Sequence, residues 1–152
     1  MNCRMWLYVA VSVGSAACAA QLSASVPPGE SVQCTDRLPV RIVKLVHVDV
    51  VPGPDGPIII PELCVVRSGT QVVWRTADGV LEPFELAFAD SPGTPTELRT
   101  PETGQKDFAS KRMGRRQEVL IIAKPVTAES LISYDVRIGT SHIDPGIKIM
   151  PR

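Results

Sequence analysis

The stretch "IIIPELCVVRSGTQVVWRT", Ile58 to Thr76, decides the fold. It holds two extended runs, Leu63 to Val66 and Gln71 to Trp74, rich in β-branched residues that pack well on a pleated surface. Arg67-Ser68-Gly69-Thr70 separates them, and a glycine-containing connection of this length predicts a β-hairpin. Trp74 and Val72 then face one way and Val73 the other, because successive side chains of a strand alternate.

Working outward, "VVWRTADGVLEPFELAF" (Val72–Phe88) adds a return strand whose apolar face is Phe84, Leu86 and Phe88. Upstream, "VRIVKLVHVDVV" (Val40–Val51) places Ile42, Val46, Val48 and Val50 on one side of a strand, with Val43, Leu45, His47 and Asp49 on the other. The turn-rich "PGPDGP" ends it. Ala89 to Gln117 shows no sustained period and is expected as one long irregular loop, of the kind usually functional or mobile. Strands resume at "EVLIIAK", "LISYDVRIG" and Gly146–Met150. About seven strands without a convincing helix predict an all-β antiparallel sandwich. No internal repeat is seen.

A chain of 152 residues is about one domain long. Sixteen basic residues balance sixteen acidic ones, so no overall field argues for nucleic acid. The first twenty residues, "MNCRMWLYVAVSVGSAACAA", carry one early positive charge, then an apolar run ending in small residues, the pattern of a secretory signal peptide. Ala17-Cys18-Ala19 fits ordinary signal peptidase. Ser15-Ala16-Ala17-Cys18 resembles a bacterial lipobox with serine in the usual leucine position, which would make Cys18 the lipid-modified first residue. Either route predicts export, to the periplasm or to a membrane anchor there. Residues 21–37 read as a polar tether and residues 38–152 as the folded domain.

Export leaves Cys34 and Cys64, since Cys3 departs with the signal. Two cysteines in an oxidising compartment are expected to form a disulfide, the alternative being two buried free thiols.

"PELCVVRSGTQVVWRT" resembles the strand pair of cupredoxin-like domains that precedes the copper loop, and "ISYDVRIGTSHIDPGIKI" is similar to their final hairpin. The resemblance spans Val40 to Pro151 and implies a Greek-key sandwich. It also implies where copper ligands would stand: a histidine at the start of the strand after Val-x-Trp, then a cysteine, a second histidine and a methionine in the last hairpin, because thiolate plus imidazole makes a blue-copper site. Here Glu82-Pro83-Phe84 holds the first position, and Val136 and Ile138 stand where the cysteine would fall. His142 and Met150 alone match.

His47, beside Val43 and Leu45, reads as a hydrogen-bonded structural histidine before it reads as a ligand. "GTSHIDPG" offers Ser141, His142 and Asp144, but three residues of one short turn seldom reach triad geometry, and no nucleophile elbow accompanies them. "KRMGRR" concentrates Lys111, Arg112, Arg115 and Arg116, which either meet anionic groups or form a solvated face. The leading expectation is therefore a non-catalytic binding or structural module of the bacterial envelope, with no cofactor and an unnamed protein or envelope component as partner. Its basic loop would be the interaction surface. The alternative is a periplasmic copper carrier with a non-blue site built from His47, His142 and Met150 or Met113. An enzyme reading finds no specific support.

Overall fold

The computed structural model describes residues 31–95 and 104–152. The expected signal peptide, Cys18 and the tether as far as residue 30 lie outside them. Among the described residues there are thirteen strands: β1 (Val32–Gln33), β2 (Leu45–Val51), β3 (Ile58–Ile60), β4 (Leu63–Arg67), β5 (Gln71–Arg75), β6 (Glu85–Phe88), β7 (Gly93–Pro95), β8 (Asp107–Ala109), β9 (Lys111–Met113), β10 (Arg116–Ala123), β11 (Ser130–Ile138), β12 (Ser141–Ile143) and β13 (Gly146–Met150). No helix among them is long and apolar enough to cross a membrane.

The strands form two sheets. The first runs β1-β2-β5-β10-β7, with β3 beside β2 and β9 beside β10, and the second runs β4-β13-β11-β6-β8, with β12 beside β11. The all-β sandwich expected from the sequence is present, with more strands than the seven anticipated. Its sheets are mixed: β1 with β2, β2 with β5 and β4 with β13 are parallel pairs.

The expected hairpin between the two opening runs does not form. β4 and β5 lie in different sheets. The turn explains this, because Thr70 N–H donates to the Arg67 carbonyl at 3.1 Å and Gly69, the third residue of the four, holds φ at +80°. Positive φ at that position is the mark of a type II turn, whose twist splays flanking strands where the primed turns of hairpins would align them. β6 likewise pairs with β11 and β8 of the second sheet rather than returning along β5.

The core is made by the alternation read from the sequence. Val46, Val48 and Val50 of β2 are buried, as are Phe84, Leu86 and Phe88. Ile42 departs from the pattern, being 89 % exposed, because the strand expected from Val40 begins only at Leu45.

Residues assigned to the tether belong partly to the domain. Val32 and Gln33 pair with Val46 and His47, and Cys34 is buried and bonded to Cys64, with Cα atoms 5.5 Å apart. β1 and β4 are the edges of their respective sheets, so the disulfide staples the sandwich along one open side. Val65 N–H donates to the Thr35 carbonyl at 2.9 Å, which covers part of the β4 edge that would otherwise invite pairing with another chain.

The cross-link closes a loop with a sequence separation of 30. Replacing both cysteines with serine is expected to lower unfolding free energy by about 3 kcal/mol in the chain-entropy account. Urea denaturation of the oxidised protein and the double variant measures it, and equal midpoints would show that the staple contributes nothing.

Candidate functional site

The positions that a blue-copper site would require can now be located. Val136, fully buried, and Ile138, 8 % exposed, alternate inward from β11, so both are core side chains. Phe84, at the position of the leading imidazole, is 1 % exposed and also packs in the core. On β11, Arg137 stands opposite His142, whereas Ser130 stands opposite Ile149, the neighbour of Met150. Seven residues of strand separate those points, roughly 20 Å at about 3.3 Å per residue. His47 lies in the first sheet, on the outer face alternate to Val46 and Val48. One ion cannot touch all three, and Met113, at the end of β9, adds nothing to bring them together. Among the described residues no group of three or more His, Cys, Asp or Glu side chains could hold a metal ion.

His47 instead joins a polar clasp. Its Nδ1 lies 3.0 Å from Ser31 Oγ, which also accepts a hydrogen bond from Arg75 at 3.1 Å. Asp49 accepts from Gln33 at 3.2 Å and from Arg75 at 3.4 Å, and its carboxylate sits 3.9 Å from His47 Nε2. A serine, a histidine and an aspartate meet here, but the arrangement cannot relay a proton from the serine. The carboxylate stands beyond hydrogen-bond reach of the imidazole and so does not orient it, and the serine oxygen already accepts from the Arg75 guanidinium. The clasp ties β1 to β2 and β5. Burial holds the His47 imidazole below its ordinary value of 6.5, the Arg75 charge pushes the same way, and Asp49 opposes both.

His142 is exposed on β12. Asp144 hydrogen-bonds Asp135 rather than His142; this keeps the Asp135 carboxyl below the usual carboxylate range and raises that of Asp144.

The basic stretch occupies a hairpin, not an irregular loop. Met113 stands opposite Arg116, and Gly114, the second residue of the turn, has φ of +63°. Positive φ at that position suits a type II′ turn, which continues the strand twist. Arg116 is not displayed: it makes ion pairs with Asp78 and Glu118, and Gly79 N–H donates to the Arg115 carbonyl at 2.7 Å. Lys111 stands opposite Glu118 in the register. Arg116 is thus knitted to the turn after β5, while Lys111, Arg112 and Arg115 of the anticipated cluster are exposed.

A different surface gathers cations without acids. A cleft of about 540 Å³ opens between the segment Pro39–Lys44 and the β4–β5 corner, lined by Arg41, Lys44, Arg67 and Arg152 and by no carboxylate side chain. Val40, Ile42, Val43, Val46 and Val65 supply apolar wall. Among the described residues, none of the four cations takes part in an ion pair, whereas Arg75, Arg116, Lys124, Arg137 and Lys148 all do. Sequence reading missed this site because "VRIVK" continues the valine pattern of β2 without a break. The signal that was available was the pair of cations inside that apolar run.

Two outcomes test the two clusters. Arg116→Ser is expected to cost roughly 1 kcal/mol by stripping the ion-pair partner from Asp78, while Arg112→Ser with Arg115→Ser, whose side chains make no ion pair among the described residues, costs measurably less, about 0.5 kcal/mol or below. Thermal melts of the three proteins decide it, and equal melting temperatures would show that the Arg116 contacts are energetically idle. For His47 the folded-state value is depressed, so the unfolded chain binds the proton more readily, and stability is full above pH 6.5 and falls as pH drops through that value. The imidazole resonance should titrate below 6.5 in the folded protein, and His47→Gln should flatten the acid limb of the stability curve. A midpoint at or above 6.5 contradicts the clasp.

No protein-family model and no curated protein matches the chain. Among solved structures, it is similar to auracyanin B, a cupredoxin, at 13 % sequence identity and a TM-score of 0.35, over 80 % of this chain and 94 % of that one. A likeness that low transfers no residue and no ligand. The sandwich described above rests on the strand pairings themselves.

Proposed function

We propose that the chain is an exported, non-catalytic binding module of the bacterial cell envelope, built on a cupredoxin-like sandwich that has given up its blue-copper site. The supporting observation is the inward burial of Val136 and Ile138, the positions at which a thiolate would have to stand. A thiolate ligand is soft and charged, and two aliphatic side chains in a dry core offer an ion nothing. Export rests on the apolar run of residues 1–20. Attachment to the membrane follows where Cys18 is the lipidated residue.

The non-catalytic part of the reading is supported by the two serine–histidine neighbourhoods. Ser31 and His47 are locked with Arg75 and Asp49 in a structural clasp, and Asp144 turns to Asp135 instead of His142. The binding part is supported by the cationic cleft, a better candidate surface than the basic hairpin because it is concave and lined by no carboxylate side chain, whereas Arg116 of the hairpin is paired with Asp78 and Glu118.

Copper titration of the mature protein, followed by absorbance and calorimetry, is the test. No intense blue band is expected. A strong thiolate charge-transfer band would overturn the reading, and copper binding abolished in His142→Ala would favour the carrier alternative.

A further inference from the structure

The cleft beside the β4–β5 corner has the chemistry of a particular class of ligand. Its wall segment is held at both ends: Cys34 is bonded to Cys64 upstream, and Gln71 N–H donates to the Lys44 carbonyl at 2.9 Å downstream. Between these anchors Pro39 to Val43 forms no strand, yet Val43 packs against the core. The wall is therefore fixed without its own sheet partners, and Val40 and Ile42 stand at 105 % and 89 % exposure.

Two features coincide there. Fully exposed aliphatic side chains gain by being covered, at about 25 cal/mol per Å² of apolar surface removed from water. Cations without acidic partners, set around a concave surface, attract an anion, and arginine's planar fork matches phosphate or carboxylate oxygens in pairs. Arg152 is partly engaged, donating to the Ser68 carbonyl at 3.1 Å, and Arg67 reaches the Pro151 carbonyl at 3.4 Å. The side chains of Arg41 and Lys44 make no hydrogen bond or ion pair among the described residues, which leaves them as the principal binding cations. The cleft volume falls in the range of small-molecule sites, about 300 to 1,000 Å³.

We infer that the cleft binds a single-chain anionic amphiphile, with its phosphate or carboxylate head on Arg41, Lys44 and Arg67 and its apolar chain along Val40, Ile42 and Val65. The inference rests on the binding-module reading and names the ligand class of that module. An inorganic anion would leave the aliphatic wall uncovered, and a neutral lipid would leave the cations unmatched.

The test uses the mature oxidised protein with dodecyl phosphate below its micelle concentration, inorganic phosphate, and phosphatidylglycerol vesicles, read by calorimetry. Dodecyl phosphate is expected to bind saturably and one to one, at least about tenfold more tightly than inorganic phosphate, and more weakly as salt rises. Arg41→Ser with Lys44→Ser should weaken it by about tenfold or more and flatten the salt dependence. Ile42→Ser, at a side chain that supports no packing, should weaken it severalfold without lowering the melting temperature, and so keeps the test valid should the double variant melt early. Arg112→Ser with Arg115→Ser should leave binding unchanged. Absence of saturable binding, equal affinity for inorganic phosphate, indifference to Arg41, Lys44 and Ile42, or binding confined to vesicles would each overturn the inference. None of these outcomes depends on copper, so this failure and that of the binding module's copper-free character are read separately.

Discussion

Across the core between the two sheets, Trp74 Nε1 on β5 donates a buried hydrogen bond to the Tyr134 hydroxyl on β11 at 2.9 Å. Both side chains are almost wholly buried, and either polar group left alone there would cost about 1 to 3 kcal/mol. Satisfying one with the other fixes which residue of the first sheet lies over which residue of the second. Phe88 stacks on Tyr134 with ring centroids 4.7 Å apart and meets Trp74 edge-on at 5.7 Å, so the aromatic contacts reinforce the same alignment. Burial drives the phenol's ionisation upward, which keeps its proton in place at any physiological pH.

From that alignment the packing of the inward face of β11 follows. Tyr134, Val136 and Ile138 share the inward face of β11, so whatever stands at 136 and 138 must fit beneath the aromatic layer. Aliphatic side chains there complete the core. A concave surface lies along the stapled edge. The disulfide serves both ends of this outcome: it closes the side between β1 and β4, and it anchors the segment that forms the cleft wall.

Three turns with one glycine each show why strand pairing was only half legible. Gly114 in Met113–Arg116 and Gly139 in Ile138–Ser141 are the second residues of their turns, and both turns close hairpins. Gly69 in Arg67–Thr70 is the third, and the chain there crosses from one sheet to the other. The distinction is written in the order of the residues, because positive φ at the second position continues the strand twist and at the third breaks it. A hairpin was expected at Arg67–Thr70, and the position of the glycine within the turn was the missing step. The basic stretch suffered the reverse error, since arginines and a glycine without apolar alternation look irregular, and only pairing with β10 makes β9 a strand.

Residue type and order by themselves determined the all-β class, the inward valines of β2, the buried face of Phe84, Leu86 and Phe88, and the disulfide partners. Each of these depends on local alternation or on which side chains exist at all, and both are properties of the chain before it folds. Tertiary structure alone decided that β4 and β5 part company, that Arg116 is consumed by Asp78 and Glu118, that His47 belongs to a clasp, and that Arg41, Lys44, Arg67 and Arg152 share one cleft. Those residues are separated by up to a hundred positions and more, and an electrostatic cluster exists only once strand register has brought its members within a Debye length of about 10 Å or less. The site is a consequence of packing, and nothing in the local sequence has to mark it.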